Sequence, residues 1–136
     1  MVGIGTAEAL LAGVEGADVL WLPSGPRDRV AVVPGGKPVV VRPGEPGALA
    51  GGVTPAWAGD RIELAVDLEG RAPEAALVLG REALARMPET LLRLGAARLA
   101  IGDVDDPEQL VPRYASPPRG APLESTGEVA WSRDPR

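Results

Sequence analysis

Apolar residues fall at Ala7, Leu10, Leu11 and Val14, the spacing of one helical face, which predicts a helix over residues 6–14. Thr6 stands where an N-cap would, Glu8 lies in the first turn, and Gly16 can close the last one. The pattern then changes to short runs of Val, Leu and Trp at residues 18–23, 29–34 and 37–42, which predict three strands. Pro23-Ser24-Gly25-Pro26 supplies the first turn and Gly35-Gly36 the second, so an antiparallel meander is the simplest product. The unbroken run Val30–Val33 predicts a strand covered on both faces.

Residues 43–59 are rich in turn formers, with a short helical stretch at 47–50 and a single large side chain, Trp57. Ile62, Leu64 and Val66 alternate with Arg61, Glu63 and Ala65, which predicts a fourth strand. Pro73 at the first helical position opens a helix whose buried stripe is Ala76, Leu79, Ala83, Leu84 and Met87. Pro88 is expected to break or kink it, and a second piece from residue 89 to 94 to end at Gly95. Residues 97–101 are equally readable as helix or edge strand. An acidic turn, Asp103 to Pro107, leads to the segment 110–118, in which Pro112 and Pro117 flank Arg113 and Tyr114. Fixed φ angles on both sides of the ring predict an extended strap. One α/β domain is therefore expected over residues 1–118, with 119–136 as a loosely held tail.

Composition narrows the function more than the fold. The chain has 136 residues, no cysteine and no histidine, which removes thiol nucleophiles, imidazole bases and the usual zinc ligands. The formal net charge is −5 and no three basic residues are consecutive, so direct nucleic-acid binding is not expected. The apolar runs are far too short for a membrane span, and no leader pattern is visible, which predicts a cytoplasmic protein.

Asp103, Asp105 and Asp106 resemble the start of a calcium loop, but Tyr114 occupies the twelfth position, where a carboxylate is needed. Ser24, Ser116, Ser125 and Ser132 have no imidazole to activate them. Asp18, Asp28, Asp60 and Asp67 lie near strand ends and could pair, but surface charge explains them as well. Gly3-Ile4-Gly5 and Gly51-Gly52 lack the residues that complete a phosphate loop. The expectation is no catalytic residue, no cofactor and no metal. Trp57, Arg113 and Tyr114 remain as anchors, either closing the core or presenting a surface to a partner.

In order along the chain, Gly5-Thr6-Ala7-Glu8-Ala9-Leu10-Leu11-Ala12, the segment 19–33, and the 73–87 helix followed by Pro112-Arg113-Tyr114 resemble the C-terminal half of the TsaB family. TsaB is the non-catalytic paralogue of TsaD in bacterial tRNA threonylcarbamoyladenosine biosynthesis. The likeness departs at Pro23-Ser24-Gly25, where the family has Asp-Ala-Arg, and at Ala115-Ser116, where it has Leu and Arg. The resemblance implies a single RNase H-like lobe of the ASKHA superfamily, a mixed sheet with packing helices, without the family's N-terminal lobe. It also implies a scaffold that binds a TsaD-like protein and other threonylcarbamoyl-transfer components, or that forms a homodimer. The residues themselves leave open a carboxylate-dependent hydrolase on such a lobe, and a stand-alone binding domain anchored by Trp57 and Tyr114.

Overall fold

The computed structural model describes residues 1–44 and 56–109. In chain order they form α1 (Thr6–Ala12), β1 (Val19–Ser24), β2 (Asp28–Val32), β3 (Val39–Val41), β4 (Glu63–Ala65) and α2 (Glu74–Ala100). The result is a mixed α/β fold, one small sheet with two helices. The sheet order is β3-β2-β1-β4. Antiparallel pairing joins β1 to β2 and β2 to β3, whereas β4 runs parallel to β1. Gly35, at φ +69°, turns the chain between β2 and β3, and the Gly36 N–H closes that turn on the Val33 carbonyl.

Strand alternation sorts the core into two layers. Leu20, Val30, Val32, Leu64 and Val66 lie on the face that receives Leu10 and Leu11 of α1 and Ala83 of α2. Val19, Trp21, Ala31, Val33, Val41 and Ala65 lie on the other, closed by Leu68, Ala76 and Leu77 with Trp57 and Ala72 at its margin. Val30, Ala31, Val32 and Val33 are all buried because β2 is covered on both sides.

The helices differ from their sequence reading in ways that packing explains. Gly5, not Thr6, caps α1, and no side chain completes that cap. Pro73 is the N-cap of α2 rather than its first helical residue. Pro88 does not end the helix: α2 continues through Pro88 and Gly95 for 27 residues. Pro88 lacks the N–H that would bond the Leu84 carbonyl, but Ala83 before it and Thr90 after it are buried, so both halves are held by tertiary contacts. The true stop is Gly102, at φ +73°. There the Gly102 N–H reaches the Leu99 carbonyl and the Asp103 N–H reaches the Arg98 carbonyl, the paired bonds of a left-handed helix cap.

The buried stripe also shifts. Ala76 and Ala83 are buried as expected, but Leu77 and Gly80 join them while Leu84 is exposed. Gly80 is required by contact: a Cβ there would lie 1.9 Å from the Ala65 carbonyl oxygen. Its absence lets the α2 backbone rest directly on the backbone of β4. A second close approach occurs at Gly13, the C-cap of α1, where a Cβ would meet the Ala83 backbone at 3.4 Å.

Polar contacts tie the two ends of the described chain together. The Asp105 N–H donates to the Met1 carbonyl at 2.7 Å, and the Gly3 N–H donates to Asp105 Oδ2 at 2.6 Å. Arg98, on the last turns of α2, donates to the Gly3 carbonyl at 2.7 Å and to Glu8 Oε1 at 2.8 Å. Among the described residues no helix is long and apolar enough to cross a membrane.

Candidate functional site

The densest polar and aromatic grouping sits on the Trp21 face of the sheet. Pairing of Trp21 with Ala31 places Arg29, two residues earlier on β2, beside the Trp21 ring. Trp57 comes from the segment entering β4, and its ring centroid lies 5.0 Å from that of Trp21 at 46°. The Arg29 guanidinium covers both rings, 4.7 Å from the Trp21 centroid and 5.3 Å from that of Trp57. A ring face attracts a cation, more strongly where water is excluded. Burial holds the Arg29 guanidinium below the usual arginine value, Glu63 acts in the opposite sense, and Arg71 adds to the lowering.

Glu63 is one of two buried polar residues among those described. Its Oε1 accepts from Arg61 Nη2 at 2.6 Å and its Oε2 from the Ala58 N–H at 3.2 Å. Arg61 also donates to the Ala56 carbonyl, so one ion pair fixes the loop that carries Trp57. Arg71 donates to the carbonyls of Gly25 and Pro26, both at 3.2 Å, and holds the β1–β2 turn. Trp21 Nε1 is buried with no hydrogen-bond partner among the described residues. Chemically the group is a cation against two indoles, bordered by a carboxylate with both oxygens engaged. Its guanidinium does not transfer protons near neutrality, so the geometry suits packing and recognition.

Trp57 is half-buried and packs against the core. Arg113 and Tyr114 lie outside the described residues, as do the strap and the tail. The four strand-end aspartates are not gathered into one group by the contacts they make. Asp18 Oδ2 accepts the Ile62 N–H at 2.8 Å, Asp28 lies 3.9 Å from Arg42, Asp60 is exposed, and Asp67 occupies a left-handed turn at φ +54°. In the acidic turn, Asp105 accepts the Gly3 N–H and Asp106 accepts the Glu108 N–H. Among the described residues no three carboxylates come together as metal ligands.

Sequence reasoning passed over Trp21, Arg29 and Glu63. A signal existed for one pair: Arg61 and Glu63, two apart in a strand, share a face and carry opposite charge. The meeting of Trp21 with Arg29 depends on hairpin register, which the turn residues alone do not specify.

Compared with protein families, curated proteins and solved structures, the chain matches none.

Proposed function

We propose that the chain is a partner-binding lobe similar to the C-terminal lobe of TsaB, a scaffold without chemistry of its own that assembles with a TsaD-like protein in the cytoplasm. The observation that carries this reading is the sheet itself. An antiparallel three-strand meander extended by one further strand, with helices packed on it, is the arrangement implied for a single RNase H-like lobe. The polar groups support the scaffold half of the reading. Glu63 and Arg61 brace a loop, Arg71 braces a turn, and Arg98 braces the chain ends. These side chains spend their hydrogen bonds on architecture.

Co-purification tests the proposal. The chain in its native sequence context, affinity-tagged and isolated from its own cells, is expected to bring down a TsaD-like protein in a stoichiometric complex. Recovery of the tagged chain without such a protein, under conditions that keep other complexes intact, would overturn it.

A further inference from the structure

Arg29 stands apart from the other half-buried arginines among the described residues, Arg61, Arg71 and Arg98. Arg61 donates to Glu63 and the Ala56 carbonyl, Arg71 to the Gly25 and Pro26 carbonyls, and Arg98 to Glu8 and the Gly3 carbonyl. Arg29 touches the Trp21 and Trp57 rings and donates to no acceptor among the described residues. Strand register accounts for this. Its directly paired neighbours, on the same face of the sheet, are Pro23 on β1 and Val41 on β3, and neither side chain carries an acceptor. The carboxylate whose charge Arg29 feels, Glu63, has both oxygens taken by Arg61 and the Ala58 N–H. Trp21 Nε1 is a second donor of the same cluster, fully buried and without an acceptor among the described residues.

Ring faces attract the guanidinium charge but supply no oxygen to its five N–H groups. Arg29, Arg61 and Arg71 against Glu63 leave this cluster with an excess of positive charge, in a chain whose net charge is −5. An anion would offset both influences that depress the Arg29 value, its burial and the neighbouring Arg71. One open fork fits one planar carboxylate through two parallel bonds. A phosphate carries more charge and is held by clusters of arginine, whereas Arg61 and Arg71 are committed here to the loop and the turn. A single ion pair at a half-exposed site is too weak to retain a free acid, so the carboxylate must arrive on a chain that makes further contacts. Trp57, half-buried beside Arg29, offers one, and tryptophan and arginine are residues in which interface energy concentrates. We propose that the Arg29–Trp57 margin of the Trp21 face is a docking site for an acidic segment of a partner protein, whose carboxylate closes on the Arg29 fork. This goes beyond the TsaB-like reading and does not require it, since the partner is defined by its carboxylate and the test needs no TsaD-like protein.

The indole N–H signals of the nitrogen-labelled full chain report on the site, with Trp57→Phe and Trp131→Phe assigning them. Titration with an acetylated, amidated oligoglutamate at fixed ionic strength is expected to shift the Trp21 and Trp57 signals to saturation, with a dissociation constant on the order of a millimolar. A matched oligoglutamine leaves them in place. Arg29→Met weakens binding about tenfold or more, and Arg29→Lys, which keeps the charge over the rings and loses the fork, about fivefold. The lysine variant keeps the test decisive if the methionine variant fails to fold. Arg27→Met, at an exposed position in the β1–β2 turn, changes binding less than about twofold. Absence of a saturable shift would overturn the proposal, as would an equal response to oligoglutamine. An Arg27→Met loss as large as that of Arg29→Met would overturn it in favour of diffuse attraction. Inorganic phosphate that displaces the peptide at equal concentration would overturn it in favour of a general oxyanion site.

Discussion

Gly80 shows how one missing carbon sets the distance between two elements. A Cβ at 1.9 Å from the Ala65 oxygen has no rotamer to escape into, so the α2 backbone itself must move. Gly80→Ala is therefore expected to cost about 3 kcal/mol, at the upper end for overpacking and despite alanine's better helix propensity; urea unfolding measures it. Arg29 illustrates the opposite case, a side chain whose value lies in what it covers. Arg29→Met keeps most of the packing and removes the cation from the Trp21 and Trp57 rings. A loss of about 1 kcal/mol is expected from the same measurement. An unchanged midpoint would show that the guanidinium only fills space. Trp57 was legible as an anchor because it is a lone large ring in a stretch of small residues and turn formers. Its partners were not, since Arg29 reaches it through strand register.

At the level of elements, α2 tests how far packing outweighs propensity. Proline in a helix interior costs about 3 kcal/mol relative to alanine, yet α2 runs on through an exposed Pro88. Pro88→Ala is expected to raise the thermal midpoint by several degrees, part of that cost having been relieved by local adjustment. Gly102→Ala should lower it, because a side chain at φ +73° costs about 1 kcal/mol. The strands were readable from their Val- and Leu-rich runs and from the Gly35-Gly36 turn. Two features were not. The parallel direction of β4 is chosen by its pairing with β1, with no local mark in Glu63-Leu64-Ala65. The continuity of α2 depends on buried Ala83 and Thr90 on either side of a residue that locally forbids it.

For the molecule as a whole, the joining of Met1, Gly3 and Asp105, with Arg98 across them, carries a consequence for motion. The segments at Gly3 and Asp105 hold each other in place. Protection of the Gly3 and Asp105 amides against solvent deuterium should be lost together, in one cooperative opening that leaves the β1 amides closed. Arg98→Gln should speed exchange at both ends alike, although they are separated by a hundred residues of sequence.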